Sequence, residues 1–173
     1  MSSPHDLVLT PRGVRFHGRY FPCSIGRGGL TATKQEGDGA TPVGHHHIVG
    51  MFYRPDRLMP PNDWATPICP TDLWSDAPDQ PDYNTQVRAP YPHSHECLRR
   101  SDPLYDLVLV TDYNWPNAVE NAGSAIFIHQ WRRPHYPTEG CIALSRHDLS
   151  YVATHMSKDT RLIIPAHMPF GQR

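Results

Sequence analysis

Hydrophobic runs bounded by polar residues and turn formers predict most of the strands in this chain. The segment YDLVLVTDYN (105–114) is a continuous apolar run, which is typical of a strand buried on both faces. The other segments that we predict to be extended also carry apolar residues: Asp6–Thr10, Val14–Ile25, 45–53, 124–129 and 160–165. The turn formers Pro11–Gly13 separate the first two of these segments.

One segment near the C-terminus has the pattern of an amphipathic helix. Ser145 can cap its start, and Asp148 stands three residues later, as in a capping box. The apolar residues that follow are spaced to form one face of a helix. They are Leu149, Val152, Ala153 and Met156.

Two long segments show neither the helical nor the strand period. Residues 26–44 contain six glycines, which favours a long irregular loop. Residues 54–100 are rich in Pro, Asp and Trp, and we expect ordered loop with small helical turns there. The predicted fold class is therefore mainly β, a β-sandwich or mixed sheet with one or two short helices and long ordered loops.

Length, charge and proline content limit the classes of function. A chain of 173 residues has the usual size of one domain, so we expect a single domain over residues 1–173. Its 16 Lys and Arg against 17 Asp and Glu give a formal net charge of −1, so no global field would attract nucleic acid or an acidic membrane. The 19 prolines disfavour long helices. We expect a monomer.

The four cysteines are widely spaced, with no Cys-x-x-Cys pair, so we expect free thiols rather than a disulfide framework. No apolar run approaches the ~18 residues of a membrane span. The N-terminal segment MSSPHDLVLTPRG has no basic region followed by a long apolar stretch, so we predict no signal peptide in this chain.

The segment IFIHQWRRPHYPTEGCIAL (126–144) contains the candidate chemistry. His129 ends an apolar run, and Cys141 follows Gly140 just before the next run. If the two runs are antiparallel strands, the loop between them places the Cys141 thiol opposite the imidazole. A hydrogen-bonded imidazole lowers the pKa of a thiol and makes it a nucleophile. Gly140 permits a sharp turn, and the N–H groups beside it could stabilise a developing oxyanion.

A buried structural cysteine is the alternative explanation of the same pair, because cysteine is common in protein cores. The surrounding pattern favours catalysis: a strand precedes the histidine, and a hydroxyl residue stands two positions before the Gly-Cys pair.

This pattern resembles the L,D-transpeptidase catalytic domain family, also called YkuD-type. The family signature is a His after an apolar strand, then a dozen or more residues, then Ser/Thr-x-Gly-Cys and a strand. Here those positions are His129 and Thr138-Glu139-Gly140-Cys141-Ile142. The upstream Thr41-Pro42-Val43-Gly44 is similar to the family's Thr-Pro-x-Gly turn. The resemblance covers most of residues 18–165.

The resemblance implies a YkuD-type fold and acyl transfer on peptidoglycan stem peptides, both donor and acceptor. Cys141 would attack a donor carbonyl to form a thioester, which an amine of an acceptor stem resolves. His129 would act as the base, and the backbone carbonyl of Gln130 would orient its ring. The product would be a 3→3 crosslink, with a 1→3 link as the alternative register. We expect no cofactor and no metal ion.

Two positions depart from the family pattern. Many members have His before the Gly-Cys pair, where this chain has Glu139, and Arg two residues after the Cys, where it has Ala143. Stem peptides carry carboxylates, for which arginine is the natural partner. The candidate substrate-binding residues are Arg132, Arg133, Arg146, Trp131, Tyr136, Thr138 and Glu139, with Arg27 and Lys34 as further candidates.

Two other functions fit the same residues. An L,D-carboxypeptidase or endopeptidase would need the same Cys and His but use water in place of the amine. A non-catalytic peptidoglycan-binding module would not need the pair. The family resemblance also implies a location in the periplasm or cell envelope, although we find no export signal.

Overall fold

The computed structural model describes residues 2–167; the predicted domain boundaries, 1–173, extend outside the described residues at both ends. The described part of the chain contains fifteen short strands and one helix. In chain order they are β1 (Leu7–Thr10), β2 (Gly13–Phe16), β3 (Arg19–Phe21), β4 (Cys23–Ser24), β5 (Leu30–Thr31), β6 (Thr41–Pro42), β7 (Gly44–Tyr53), β8 (Thr66–Pro67), β9 (Asp72–Ser75), β10 (Gln86–Arg88), β11 (His95–Cys97), β12 (Leu107–Thr111), β13 (Phe127–Gln130), β14 (Ile142–Leu144), α1 (Arg146–His155) and β15 (Arg161–Ile164).

A mixed, ten-stranded sheet organises the fold. Its strands follow the order β3-β2-β1-β15-β7-β12-β13-β14-β4, and β8 pairs with β7 off this path. The pairs β1–β15, β7–β8 and β13–β14 are parallel, and the others are antiparallel. The mainly β class predicted from the sequence is therefore confirmed.

Strand β12 is buried along its whole length, as the continuous apolar run predicts. Leu107 and Leu109 point into one core, whereas Val108 and Val110 point into a second core on the opposite face. This alternation follows from the two-residue period of a strand. The central sheet is thus covered on both faces.

The helix α1 covers the first face of the sheet. The Ser145 side chain accepts a hydrogen bond from the Asp148 N–H at 3.0 Å, which confirms the predicted cap. Leu149, Val152 and Ala153 are buried in the first core. The helical pattern therefore located this element correctly.

A small three-stranded sheet, in the order β10-β9-β11, packs near the second face. Trp74 on β9 meets Phe127 on β13 edge to face, with ring centroids 5.1 Å apart. The prediction of loop with helical turns for residues 54–100 is wrong, because this segment supplies the three strands as well as β8. Strands of two to four residues are too short to show a clear period.

The predicted antiparallel hairpin is also wrong. Strands β13 and β14 are parallel neighbours, with Ile128 opposite Ile142 and His129 opposite Ala143. The connection, residues 131–141, is long enough to run back along a four-residue strand, which spans only about 13 Å. Parallel pairing needs such a long return, whereas a hairpin uses a short turn. Val14–Ile25 is likewise not one extended segment, since His17 and Gly18 turn the chain at positive φ.

Candidate active site

The turn before β14 has a conformation that favours glycine. Gly140 has a φ of 138°, and a Cβ built there would lie 2.9 Å from the Ala40 backbone oxygen. The Gly140 N–H donates to Thr138 Oγ1 at 3.2 Å, and that hydroxyl donates to the Cys141 carbonyl at 2.6 Å. Thr138 therefore stabilises the turn from within, and the Gly140 N–H is already used.

The glycine-rich segment 26–44 supports this turn from outside. Thr41 is fully buried; its Oγ1 donates to the Gly140 carbonyl at 2.8 Å and accepts from the Gly26 N–H at 2.9 Å. The backbone N–H of Arg27 also donates to the Thr138 carbonyl at 2.8 Å. Segments about a hundred residues apart in sequence thus fix the position of Cys141.

His129 and Cys141 line one cavity of about 330 Å³. Its wall combines the 131–141 connection with residues from β11 and the segment that follows it. The lining residues are Glu96, Arg100, Leu104, Tyr105, His129, Trp131, Arg132, Tyr136, Pro137, Thr138, Glu139 and Cys141.

The His129 ring is held in one orientation by a backbone carbonyl. Nδ1 lies 2.8 Å from the Gln130 carbonyl oxygen, which can only accept, so Nδ1 carries the ring hydrogen. The other nitrogen, Nε2, is then the basic one. The Tyr105 ring packs edge to face on the imidazole, with centroids 5.2 Å apart. The backbone contact predicted for Gln130 is present in the structure.

The Cys141 thiol is hydrogen-bonded to the backbone of Ala125, just before β13, and of Phe127, the first residue of β13, rather than to the imidazole. Sγ donates to the Ala125 carbonyl at 3.1 Å and accepts from the Phe127 N–H at 3.3 Å. Among residues 2–167, no hydrogen bond joins Sγ to His129. The Cys141 N–H likewise has no hydrogen-bond partner in that part of the chain. It is therefore a free backbone donor beside the thiol.

Burial keeps both groups neutral. Burial raises the pKa of Cys141 to about 12, and the negative charge of Glu96 adds to this effect. Burial also lowers the pKa of His129 to about 4, against the opposing effect of its hydrogen bond to Gln130. The pair therefore rests as thiol and imidazole at neutral pH, not as thiolate and imidazolium.

Five of the seven predicted substrate-binding residues line the cavity, and the other two do not. Trp131, Arg132, Tyr136, Thr138 and Glu139 all line the cavity. Arg133 does not line it; its guanidinium packs over the Tyr136 ring at 4.8 Å. Arg146 lies elsewhere, 3.8 Å from Asp106.

The two further candidates in the glycine-rich segment are engaged in ion pairs. Arg27 pairs with Glu139 at 2.9 Å, on the exposed rim of the cavity. Lys34 pairs with Asp38. The carboxylate of Glu139 is therefore directed to Arg27.

Sequence reasoning missed three polar residues of the cavity: Glu96, Arg100 and Tyr105. The Tyr105 hydroxyl donates to Glu96, and the Arg100 guanidinium lies over the Tyr105 ring at 5.1 Å. Glu96 is in the middle of β11 and faces this region because β11 pairs with β9. No local motif marks these residues, so only the pairing of the small sheet reveals them.

Comparison with known proteins identifies one family. The family model described as the L,D-transpeptidase catalytic domain, YkuD, matches residues 5–164. This range contains every residue that lines the cavity. No curated protein and no solved structure matches the chain. Within residues 2–167, no helix has the length and apolar character needed to cross a membrane.

Proposed function

The chain belongs to the L,D-transpeptidase catalytic domain family, and we propose that it is a cysteine-dependent L,D-transpeptidase that crosslinks peptidoglycan stem peptides. The family acts on peptidoglycan and is associated with the cell envelope in general. We also propose that residues 1–173 form one catalytic domain that works as a monomer in the envelope.

One observation carries the proposal: a thiol and an imidazole line the same cavity, and the basic nitrogen of the imidazole has no hydrogen-bond partner among the described residues. The hydrogen bond from His129 Nδ1 to the Gln130 carbonyl supports a role for Nε2 as general base. Gln130 thus acts through its backbone.

In the first half-reaction, Cys141 is acylated by the donor stem. The thiol turns about its Cα–Cβ bond from the Ala125 carbonyl toward Nε2, which takes its proton. Sγ then attacks the donor carbonyl, and the Cys141 N–H, which has no hydrogen-bond partner among residues 2–167, would donate to the resulting oxyanion. The leaving D-residue takes the proton from His129 as the amide bond breaks, and a thioester remains.

In the second half-reaction, an amine of the acceptor stem attacks the thioester. His129 accepts a proton from the attacking amine and returns it to the departing sulfur. A new amide bond forms, and the thiol is restored. In each half-reaction His129 takes up one proton and gives it away again. The mechanism can therefore start from a neutral thiol and a neutral imidazole.

Arg132 is our proposed partner for a carboxylate of the stem peptide. It lines the cavity and makes no salt bridge with any residue between 2 and 167. Guanidinium groups bind carboxylates through two parallel hydrogen bonds. Trp131 and Tyr136 would form the walls on either side, Thr138 and Gly140 shape the turn, and Glu139 contributes to the rim.

The direct test is incubation of the purified protein with disaccharide-tetrapeptide, followed by tandem mass spectrometry of the dimer. We expect a crosslinked dimer, loss of the terminal D-residue, and no product with Cys141→Ala. A 3→3 dimer alone would exclude the 1→3 register. Free tripeptide without dimer would identify a hydrolase, and unchanged crosslinking by Cys141→Ala would refute cysteine catalysis.

A further inference from the structure

We propose that Glu96 binds an ammonium group of the donor peptide and thereby determines which donors are attacked. The assignment rests on the proposed function, because it concerns the substrate of the same cavity. The group meant is the free side-chain amine of a diamino acid next to the bond that Cys141 attacks.

The first argument is the balance of charges in the cavity. Glu139 pairs with Arg27, and Arg100 forms a bidentate pair with Asp102 at 2.8 and 2.7 Å. Glu96 forms no salt bridge with the described residues; its hydrogen bond comes from the neutral hydroxyl of Tyr105. The positive charge of Arg100 also acts on Glu96, but its ion pair is with Asp102, so Glu96 is left without a salt bridge to any described residue.

The second argument is the position of that carboxylate relative to the reacting groups. The Tyr105 hydroxyl donates to Glu96, and the Tyr105 ring packs against the His129 ring at 5.2 Å. Glu96 also lines the same cavity as Cys141. A cation bound at Glu96 would therefore lie beside the scissile bond rather than at a distant surface.

The third argument concerns the thiol itself. The negative charge of Glu96 raises the pKa of Cys141, which opposes formation of the nucleophile. Burial also raises the pKa of Glu96, so a bound ammonium group would offset the cost of keeping this carboxylate charged. A bound ammonium group would neutralise the carboxylate and remove its repulsion on the thiolate. A donor with a free amine would thus promote its own attack.

The same cavity also presents Arg132, a cation without an ion-pair partner among the described residues. Glu96 and Arg132 together would complement a group that carries both an ammonium and a carboxylate, as the side chain of a diamino diacid does. On this proposal, the carboxylate that hinders the thiol has a role in binding the donor.

The test compares two donor tetrapeptides that differ only in the side-chain amine, which is free in one and acetylated in the other. Release of the terminal D-residue is measured with enzyme in excess, so that acylation alone is followed. We expect the protein to prefer the free amine by roughly ten- to a hundredfold, the usual size of a hydrogen bond to a charged group. In Glu96→Gln, which keeps an oxygen that can accept from Tyr105, we expect this preference to fall below about threefold.

Glu120→Gln is the matched control, because it removes one exposed carboxylate that does not line this cavity. We expect it to retain the preference. If Glu96→Gln also retains the preference, or slows both donors equally, the assignment is overturned. Thermal unfolding of the variants shows whether each is folded.

Binding of the two donors to Cys141→Ala, with and without Glu96→Gln, separates the two proposals. Tighter binding of the free amine that depends on Glu96, with no release of the D-residue by the unmodified protein, would support the ammonium site and refute the transpeptidase. Formation of the crosslinked dimer by the unmodified protein, with equal binding of both donors to the Cys141→Ala variant, would support the transpeptidase and refute the ammonium site.

Discussion

Replacing Asn84 by Ala should destabilise the protein and weaken the hydrogen bond that holds the Cys141 thiol to Ala125. Asn84 is buried, and its Oδ1 accepts two hydrogen bonds, from Trp74 Nε1 at 3.0 Å and from the Ala125 N–H at 2.9 Å. Its Nδ2 donates to the carbonyls of Tyr113 and Asn114. One side chain therefore joins the small sheet to the start of β13.

The expected cost follows from these contacts. Two buried donors lose their acceptor, at about 1–3 kcal/mol each. Asn84 also has a φ of 58°, a conformation that Asn tolerates better than Ala, which adds roughly 1 kcal/mol. We therefore expect a loss of about 3–7 kcal/mol in the free energy of unfolding, measured by denaturant titration.

The reactivity of the Cys141 thiol gives a second, local measure of the same change. The carbonyl that accepts the Cys141 thiol belongs to Ala125, which has a φ of 51° and whose N–H is held by Asn84. Loss of that contact should raise the rate at which iodoacetamide alkylates Cys141 in the folded protein, read by peptide mass spectrometry. Asn117→Ala, at an exposed position, should change stability by less than about 0.5 kcal/mol. A loss below 1 kcal/mol for Asn84→Ala, with unchanged alkylation, would refute this reasoning.

Three further predictions concern the turn and the two titrating groups. Gly140→Ala should lower the free energy of unfolding by about 1–3 kcal/mol in denaturant titration, because its Cβ would meet the Ala40 oxygen. Gly18→Ala should cost less, because Gly18 also has a positive φ, 74°, but a Cβ there would have no atom within 4 Å. Since burial raises the pKa of Cys141 to about 12, its alkylation rate should rise about tenfold per pH unit from 7 to 10, and a plateau near pH 9 would contradict this. The pKa of His129, lowered to about 4, lies below its unfolded value, so its contribution to stability is present above pH 6.5 and is lost as the pH falls toward 4. His129→Gln should remove on the order of 3 kcal/mol of this pH dependence in denaturant titrations, and equal profiles would refute it.

The sequence predicted those elements whose residue pattern is contained within one continuous segment of the chain. The apolar run of β12 and the Ser145 cap of α1 were located correctly, because each signal lies within one short segment of the chain. The strand predicted over 124–129 was located only in part: it runs from Phe127 to Gln130, and Ala125 has a positive φ. The small sheet was missed because each of its strands has at most four residues and is defined by its partner, not by its own composition.

The same limit explains the incomplete candidate site. Trp131, Arg132 and Tyr136 were found because they lie in the connection between the two signature residues. Glu96 and Arg100 come from another part of the chain, and their place depends on how β11 pairs with β9. Likewise, nothing local to Thr41 indicates that its hydroxyl supports the Gly140 turn.

The parallel pairing of β13 and β14, in place of the predicted antiparallel pairing, changes what surrounds the Cys141 thiol. In an antiparallel hairpin, the thiol would face the imidazole directly, and a preformed ion pair would be expected. In the parallel arrangement, the thiol comes beside the start of β13, where the Ala125 carbonyl and the Phe127 N–H hold it. A neutral thiol without a bond to its base reacts slowly with small electrophiles, because little thiolate is present. On the proposed mechanism, reactivity depends on what enters the cavity: a donor that displaces the Ala125 contact and supplies a positive charge near Glu96 would make the nucleophile at the moment when the carbonyl is in place.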